Sequence, residues 1–319
     1  MNVCGKKIFV GLSGGVDSAV SAALLRRAGA RVTGVFIKGW YPPGMPCTWA
    51  AERRDAMRVA ARLGLPFLTL DASVEYKKDV IDYLLAEYRA GRTPNPDVMC
   101  NKEVKFGAFY RFAKSRGADA IATGHYRSGE KDQSYFLWAV SADILAATLF
   151  PVGNLEKSEV RAYAKRFNLP VAEKKDSQGV CFLGSISMEE FLRNELGNDN
   201  PALLYTIGQR VNLEGMPYVA LAEQGPWYVV GKDVENKKIA VSKTRVSAAR
   251  EILFTNANWF AEAGRATEAQ YRYRGPRIKG RVDDGRFVAM TPLHEIFAPG
   301  QSIVFYRGDE LVGGGIIAA

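Results

Sequence analysis

The architecture of the first part of the chain follows from residues 7–18, which read KIFVGLSGGVDS. The run Lys7–Leu12 is rich in β-forming side chains and predicts a short strand. Ser13, Gly14 and Gly15 end that strand, and residues 17–28 then show the apolar spacing of a helix. The stretch therefore predicts a strand, a glycine turn and a helix in immediate succession.

The same alternation continues over roughly the first two hundred residues. Further strands are predicted at 31–37, 67–70 and 118–123, and further helices at 48–63, 75–88 and 102–116. Strands that alternate with helices of this length are typical of βαβ units in a parallel sheet. We therefore expect an α/β fold that begins with a Rossmann-like parallel sheet.

The pattern changes after about Leu196, where short β-like runs are separated by glycines and helical periodicity is weak. These runs predict a small central β-containing domain followed by a C-terminal β-barrel. The polar, turn-rich segment 197–201 is a candidate linker, and a second boundary is expected near 243–249. The predicted domains are 1–196, 197–246 and 247–319.

The charge balance favours a polyanionic partner. Lys and Arg number 43 against 34 Asp and Glu, which leaves a net charge of +9. Nucleic acid or an anionic membrane surface fits that surplus, and so does an enzyme that is merely basic. No long apolar run or signal peptide is apparent, so we expect no membrane span and a cytoplasmic location.

The Ser13–Ser18 loop is a candidate phosphate site. Its glycines allow close backbone approach, and N–H groups at the following helix N-terminus favour an anion. Ser13 and Ser18 add hydroxyl donors. Asp17 would repel a phosphate unless it holds Mg²⁺, or it is simply the N-cap of the helix.

The sequence does not predict a structural zinc site, because its four cysteines form no CxxC pair and only two histidines accompany them. Cys4 and Cys47 are interpreted as structural. Cys100 is predicted to lie in a loop just before a helix, where the helix dipole, Lys102 and Lys105 would favour a thiolate. Cys181 follows two lysines in a glycine-containing segment, so these two cysteines are the candidate reactive thiols.

Segments spread over nearly the whole chain carry a resemblance to one family. They are SGGVDS (13–18), GRTPNPDVMCNKEVKF (91–106), ATGH (122–125), KDQSYFL (131–137), LFPVG (149–153), KKDSQGVCFLG (174–184), LYTIGQR (204–210), PWYVVGKD (226–233), YRYR (271–274), APGQSIVFY (298–306) and GGGII (313–317). With these segments in this order, the chain resembles the tRNA-specific 2-thiouridylase family (MnmA). The first of them is similar to the phosphate loop of ATP pyrophosphatases, so the first domain is expected to be of that type.

The resemblance implies an ATP-dependent tRNA-uridine 2-sulfurtransferase. It would adenylate the C2 oxygen of the wobble uridine (U34) and transfer sulfur from a cysteine persulfide, releasing AMP and pyrophosphate. Cys181 would carry the persulfide, Cys100 would be the nucleophile, and the two would form a transient disulfide. Asp97 would act as a general acid and base, or it would hold the target uridine. The residues implied in ATP binding are Gly11, Leu12, Ser13, Gly14, Gly15, Val16, Asp17, Ser18, Ile37 and Gly124, with Mg²⁺ reached through Asp17.

The resemblance also implies the contacts to tRNA. The target base would meet Asn95, Pro96 and Asp97. The remaining tRNA contacts implied are His125, Lys131, Asp132, Gln133, Arg272, Tyr273 and Gln301. A persulfide sulfur-relay protein is the expected partner, and the enzyme is expected to act as a monomer.

Three features depart from the family pattern. Ile37 stands where the family usually has Met, an apolar exchange that keeps a contact to adenine. The stretch between His125 and Lys131 is short, and so is the stretch between Cys181 and Leu204. These deletions affect the expected tRNA docking and not the phosphate loop.

A basic segment, Arg265–Arg281, is the candidate RNA surface. It contains six cations and a single acid, Glu268, with Tyr271 and Tyr273 interleaved. Cations suit phosphates and aromatic rings suit bases, although a solvated strand face would show the same charges.

Two other functions fit parts of the sequence. An amidotransferase-type synthetase of the same loop class would need neither Cys100 nor Cys181. A tRNA-binding protein without catalysis would bind RNA and release no AMP.

Overall fold

The computed structural model describes residues 2–42, 49–175, 186–197, 200–211, 226–244 and 248–318. The chain forms two compact units. The first contains Met1–Val80 and Pro96–Ser185, and the second contains Ile81–Asn95 and Ile186–Ala319. Residues 81–95, assigned to the first domain from the sequence, therefore group with the later part of the chain.

The regular elements of the described residues are strands, α-helices, π-helical segments and 3-10 helices. The strands are β1 Lys7–Gly11, β2 Arg31–Lys38, β3 Phe67–Asp71, β4 Ala120–Ala122, β5 Thr148–Leu149, β6 Arg210–Val211, β7 Trp227–Asp233, β8 Lys238–Ser242, β9 Ala248–Trp259, β10 Glu268–Gln270, β11 Ile278–Asp283, β12 Arg286–His294, β13 Ser302–Arg307 and β14 Glu310–Ile317. The α-helices are α1 Val16–Arg27, α2 Trp49–Leu63, α3 Ser73–Tyr76, α4 Tyr83–Arg89, α5 Pro96–Met99, α6 Phe109–Lys114, α7 Ala142–Ala146, α8 Lys157–Arg166, α9 Met188–Leu196 and α10 Pro201–Leu204. Two π-helical segments, Lys77–Asp82 and Cys100–Ala108, and two 3-10 helices, Ser134–Leu137 and Ala263–Arg265, complete the set.

The first unit is built on a five-stranded sheet in the order β3-β2-β1-β4-β5. Every neighbouring pair is parallel, and in the centre Lys7 pairs with Arg31 and Ile8 with Ala120. Strand β1 is buried along its middle because helices cover both faces, which is why it reads as a continuous apolar run. Small residues of α1, among them Ala19 and Ala22, are completely buried, which lets that helix approach closely.

The second unit combines a three-stranded antiparallel sheet, β6-β7-β8, with a closed barrel in the order β10-β11-β12-β9-β14-β13. Aromatic rings fill the barrel, where Trp259 stacks on Phe305 with ring centroids 5.1 Å apart. A Cβ at Gly313 would lie 2.6 Å from the Trp259 ring, so this glycine of GGGII makes room for it. The parallel sheet, the β-containing central part and the closed barrel confirm the predicted fold class.

Element bounds differ from the predictions in ways that have physical causes. The helix predicted over 102–116 begins six residues earlier, at Pro96. Proline is well suited to the first helical position, because its missing N–H would lack an intrahelical partner there. Strands β9 and β14 were not predicted, since one is polar on its outer face and the other carries three consecutive glycines. None of the helices in the described ranges is both long and apolar enough to cross a bilayer.

Candidate active site

The predicted phosphate loop joins the end of β1 to the start of α1. Gly14 has a φ of +75°, and a Cβ there would lie 2.4 Å from the Glu52 carbonyl oxygen, so only glycine fits. The Ser13 and Ser18 hydroxyls lie 3.2 Å apart, and the Ser13 N–H donates to Ser18 Oγ at 3.3 Å. The two serines therefore hold the loop in a closed turn at the helix N-terminus.

Asp17 is not the N-cap of α1, because Gly15 occupies that position and Asp17 lies in the first turn. Its Oδ1 accepts hydrogen bonds from Lys157 Nζ at 2.6 Å and from the Tyr126 hydroxyl at 2.7 Å. The Lys157 and Asp17 side chains are 18% and 31% exposed, so the pair is largely shielded from water. The carboxylate that would repel a phosphate is thus neutralised by a cation from α8.

A second lysine reaches the other side of the loop. Lys174 Nζ donates to the Gly14 carbonyl at 3.1 Å and to Asp55 Oδ2 at 2.7 Å. Lys174 opens the KKDSQGVCFLG segment, and its role in the loop was not predicted. Cys181 itself, like Cys47, lies outside the described residues.

Gly11, Ile37 and Gly124, three of the predicted ATP-binding residues, lie at or just beside the carboxyl ends of β1, β2 and β4. The Ile37 Cδ1 atom lies 3.9 Å from where a Cβ of Gly11 would stand. A Cβ at Gly124, just after β4, would lie 2.8 Å from the Ser18 nitrogen. Leu12 and Val16 are buried in the core, so they can offer only main-chain atoms to a ligand. Open α/β sheets bind ligands at this edge.

Sequence reasoning missed Lys157, Tyr126 and Lys174 as members of this site. Lys157 is the first residue of α8, where the helix dipole disfavours a cation. A lysine in that unfavourable position is the one signal that was available. Its partner Asp17 lies 140 positions away in the sequence, which no local pattern reveals.

Cys100 corrects the expectation of a loop cysteine at a helix N-terminus. It lies inside a helical stretch that starts at Pro96, and it is the first residue of the π-helical segment. Its residue is only 3% exposed. The helix dipole acts mainly within the first turn, so the thiol needs another source of positive potential.

Asp97 lies one turn before Cys100 on the same side of the helix. Burial raises the pKa of its carboxyl group above the ordinary value, and the positive charge of Lys105 partly opposes that shift. A carboxyl group with a raised pKa can hold and release a proton nearer neutrality. The environment of Asp97 therefore suits the acid–base role implied for it.

Asn101 is a buried polar residue directly after Cys100 and was not predicted. Its Nδ2 donates to the Phe136 carbonyl at 3.1 Å. Its Oδ1 is buried and has no hydrogen-bond partner among the described residues. An unsatisfied buried acceptor costs free energy, and such groups recur where a protein has a function to perform.

His125 is half-buried beside the helix that carries Cys100. Its Nδ1 lies 3.0 Å from Thr123 Oγ1, and its ring centroid lies 5.3 Å from that of Phe106. Burial, with the charges of Lys105 and Arg127, lowers the pKa of His125 to about 3. The imidazole is therefore neutral near pH 7 and can offer a tRNA hydrogen bonding or stacking, but no charge.

The neighbouring predicted contacts shape the loop that follows His125. Asp132 accepts from the Ser134 N–H at 2.8 Å and from its hydroxyl at 2.9 Å. Gln133 Oε1 accepts from the Tyr126 N–H at 3.1 Å. Lys131 is half-buried at the same loop.

In the second unit, Gln301 holds the loop that leads to Asn95. Its Nε2 donates to the Thr93 carbonyl at 2.7 Å, and the Thr93 N–H donates to the Pro299 carbonyl at 2.8 Å. Gly300 has a φ of +92°, and a Cβ there would lie 3.0 Å from the Thr93 backbone. Asn95 is the last residue of the 81–95 segment of the second unit. Pro96 and Asp97 are the first two residues of α5, which belongs to the first unit.

The family models that match this chain cover three consecutive segments. Residues 6–185 match a family model described as a tRNA methyl transferase HUP domain. Residues 185–243 match a tRNA methyl transferase PRC-barrel domain, and residues 249–317 match an aminomethyltransferase beta-barrel domain. Curated relatives include the tRNA-specific 2-thiouridylase MnmA of Xanthomonas axonopodis pv. citri, 43% identical over 98% of this chain and 94% of that protein. The chain belongs to the tRNA-specific 2-thiouridylase (MnmA) family.

Membership extends over the full set of motifs and confirms the resemblance seen in the sequence. The MnmA of Pseudomonas syringae pv. syringae is 39% identical over 98% of this chain and 94% of its own length. That alignment spans 355 positions, more than the 319 residues present here, so the MnmA relative carries residues that this chain lacks. The finding agrees with the two shortened stretches noted in the sequence. The enzyme class of the family, tRNA sulfurtransferase, is the one predicted.

Solved structures also resemble the chain, with TM-scores and sequence identities too low to indicate its activity. A 4-thiouridine synthetase–RNA complex with bound ATP has a TM-score of 0.37 and 20% identity, over 56% of this chain and 46% of that one. The U34-tRNA thiolase NcsA from Methanococcus maripaludis has a TM-score of 0.39 and 17% identity, over 60% of this chain and 68% of that one.

The cations of the basic segment 265–281 differ in exposure: some lie at the surface and others pack within the barrel. Arg272 and Arg274 are exposed in the turn between β10 and β11, close to the rings of Tyr271 and Tyr273 respectively. Arg272 also pairs with Glu295 at 3.1 Å. Arg277, in contrast, stacks on Tyr306 at 3.9 Å and donates to the Gly308 carbonyl, so it holds the barrel together.

Proposed function

We propose that this protein is an ATP-dependent tRNA-uridine 2-sulfurtransferase that acts on the wobble uridine (U34). Membership of the MnmA family supports the reaction class. The observation in the structure that carries the proposal is the closed loop of Ser13–Ser18, with Lys157 and Lys174 on either side of it. Such a loop suits a triphosphate, because main-chain N–H groups, hydroxyls and two ammonium groups are already in place.

The fit to ATP rests on two glycines. Gly14 and Gly124 both lie where a side chain would collide with the backbone around the loop. Their absent side chains let the main chain approach a ligand closely. The uridine O2 attacks the α-phosphorus of ATP bound there, so the adenylyl group is transferred to O2 and pyrophosphate leaves. Mg²⁺ would need the second oxygen of Asp17, because Oδ1 already accepts from Lys157 and Tyr126.

The sulfur step uses the two cysteines in the roles expected from the sequence. The terminal sulfur of a Cys181 persulfide attacks C2, and AMP leaves with the former O2. The Cys100 thiolate then attacks the inner sulfur of Cys181, the S–S bond breaks, and the departing sulfur keeps its electron pair as the thiocarbonyl. A Cys100–Cys181 disulfide remains, and an external thiol reductant returns it to two thiols.

Asp97 moves the proton in this scheme. It accepts the N3 proton of the uridine when O2 attacks phosphorus and returns it to the product. Its raised pKa supports this task, since an acid–base group works best when its pKa is near the working pH. Asn95 and Pro96, adjacent in the chain, are proposed to hold the base.

The substrate and partners follow from the same proposal. The tRNA contacts are His125, Lys131, Asp132, Gln133, Arg272, Tyr273 and Gln301. Persulfide sulfur arrives from a sulfur-relay protein, and the enzyme works as a cytoplasmic monomer with the domains 1–196, 197–246 and 247–319. Lys174, seven residues before Cys181, is bonded to the Gly14 carbonyl, which supports a Cys181 segment that starts beside the ATP loop.

The test is incubation with ATP, Mg²⁺, sulfide and unmodified tRNA, followed by nucleoside analysis. We expect 2-thiouridine together with AMP. In a second reaction, in which glutathione persulfide replaces sulfide as the sulfur source, Cys181→Ser and Cys100→Ser should each abolish sulfur transfer, whereas Cys4→Ser, which alters an exposed cysteine, should retain it. AMP release that persists without either cysteine would indicate an adenylating synthetase, and tRNA binding without AMP would indicate a binding protein.

A further inference from the structure

The π-helical winding of residues 100–108 changes which side chains face Cys100. Its hydrogen bonds join residues five apart, as in the bond from the Phe109 N–H to the Val104 carbonyl. The segment needs Gly107, where a Cβ would lie 2.7 Å from the Lys102 carbonyl oxygen, again five residues back. Stretches of π-helix within α-helices are uncommon and often occur at functional sites.

The consequence concerns Lys105, which follows Cys100 by five residues. In an α-helix with about 3.6 residues per turn, these two side chains would point about 140° apart. The wider π turn brings residue i+5 back to the face of residue i. Cys100 and Lys105 therefore share a face, and Asp97, three residues before Cys100 in α5, lies on it too.

The surroundings of Lys105 agree with that placement. Lys105 is half-buried, and its positive charge lowers the pKa of both the Asp97 carboxyl group and the His125 imidazole. Lys102, by contrast, is exposed and pairs with Glu103 at 3.0 Å. The sequence assigned positive potential to both lysines, and the structure separates them.

We propose that Lys105 is the positioning residue that stabilises the thiolate of Cys100, through the register of the π-helical segment. The inference rests on the proposed nucleophilic role of Cys100. Burial disfavours a thiolate, and a cation close by favours it. Without Lys105, a cysteine that is 3% exposed would remain a neutral thiol near pH 7 and could not attack the persulfide.

Other titratable groups adjoin the same segment. Asp97 of α5 is the competing anion, while Tyr76 of α3 and Tyr135 of the 3-10 helix Ser134–Leu137 are buried on elements that pack against it. His125 approaches through Phe106. Arg111 Nη1 of α6 lies 3.4 Å from where a Cβ of Gly107 would stand, seven residues after Cys100. Among the groups named here and the charges on its own segment, Lys105 is the cation that the π register brings to the Cys100 face.

The experiment titrates the Cys100 thiol alone. In a Cys4→Ser, Cys47→Ser, Cys181→Ser background, the ultraviolet absorbance of the thiolate is followed against pH, and the same protein lacking Cys100 supplies the baseline. Lys105→Gln should raise the thiol pKa by about one unit or more. Lys105→Arg should leave it near the parent value, and Lys102→Gln, the matched control, should not move it.

A thiol pKa that is unchanged in Lys105→Gln, or raised equally in Lys102→Gln, overturns the proposal. Lys105→Met keeps the apolar stem and serves the same comparison if Lys105→Gln does not fold, as judged by circular dichroism. The titration uses neither tRNA nor ATP. Failure to form 2-thiouridine would therefore defeat the proposed function alone, and a flat titration would defeat the role of Lys105 alone.

Discussion

Lys157 Nζ, at the first residue of α8, lies 2.6 Å from Asp17 Oδ1 in the first turn of α1. Two helix N-termini thus meet beside the phosphate loop, and the lysine neutralises the Asp17 carboxylate. A half-shielded ion pair of this kind is costly to break, because the remaining charge keeps its partial burial. The ion pair thus connects the phosphate loop to α8, a helix that no sequence motif had indicated as part of the site.

Replacing Lys157 should therefore impair ATP binding. We expect Lys157→Met to weaken the affinity for ATP by about tenfold or more, which corresponds to about 1.4 kcal/mol. The cause is the uncompensated charge of Asp17 next to the triphosphate. Calorimetric titration with a non-hydrolysable ATP analogue measures the effect.

The matched control for that variant is Lys165→Met on the same helix. Lys165 is 63% exposed and pairs with the exposed Glu173, so its loss should leave ATP binding unchanged. Equal affinities for Lys157→Met and the parent would show that the ion pair does not serve the nucleotide.

Gly124 should tolerate no side chain. A Cβ there would lie 2.8 Å from the Ser18 nitrogen and 2.9 Å from the Asp17 carbonyl carbon, both main-chain atoms that cannot swing away. Gly124→Ala should displace the loop and reduce ATP affinity by about tenfold or more. Gly264→Ala, where nothing lies within 4 Å, is the control, and an ATP affinity retained by Gly124→Ala would contradict the proposed site.

Gln301 should act on the loop before Asn95 even without tRNA. Gln301→Leu removes the bonds to the Thr93 and Pro94 carbonyls, at a cost of about 1 kcal/mol in the free energy of unfolding. We expect faster hydrogen exchange at the Thr93 amide and a lower kcat/KM for tRNA, with ATP affinity unchanged. A Thr93 amide that stays equally protected would leave Gln301 with a direct role at the tRNA only.

His125 should make stability depend on pH in the acidic range. Its folded-state pKa of about 3 lies below the ordinary 6.5, so the unfolded chain takes up this proton first. The contribution is fully present above about pH 6.5 and is lost as the pH falls toward 3. After discounting for partial exposure, we expect about 1–2 kcal/mol, measured by urea unfolding across that range.

His125→Gln should remove this part of the pH dependence, whereas His294→Gln, at an exposed position, should retain it. Parallel stability curves for the parent and His125→Gln would show that the imidazole is not held neutral by the fold.

Arg272 and Arg274 should contribute electrostatically to tRNA binding. The double variant Arg272→Ala, Arg274→Ala should lower tRNA affinity and reduce the magnitude of the slope of log K against log salt by about 1.4–1.8, since each phosphate contact contributes about 0.9 for duplex and 0.7 for single-stranded nucleic acid. Filter binding over a range of salt concentrations measures both quantities. Arg286→Ala, on strand β12 of the barrel and outside this turn, is the control; an unchanged slope in the double variant would exclude this turn from the interface.

The strand, turn and helix around the phosphate loop could be predicted because their causes are local. A continuous apolar run defines β1, and Gly14 is needed where φ is +75°. The helix around Cys100 was wrongly bounded, because proline at position 96 was interpreted as a loop residue and not as the first helical residue. That single misplacement turned a buried helical cysteine into a predicted loop cysteine.

Local sequence patterns were thus sufficient to predict the βαβ succession and the later β domains. They also indicated the phosphate loop and the two cysteine segments as candidate sites. They could not reveal that Lys157 neutralises Asp17 or that Gln301 supports Thr93, and they did not reveal the π-helical register on which the proposal for Lys105 rests. The two pairings join residues 140 and 208 positions apart, so they exist only after helices and barrel strands have packed. The register depends on how many residues complete one helical turn, and a helical sequence pattern predicts α-helix because π-helical segments are uncommon.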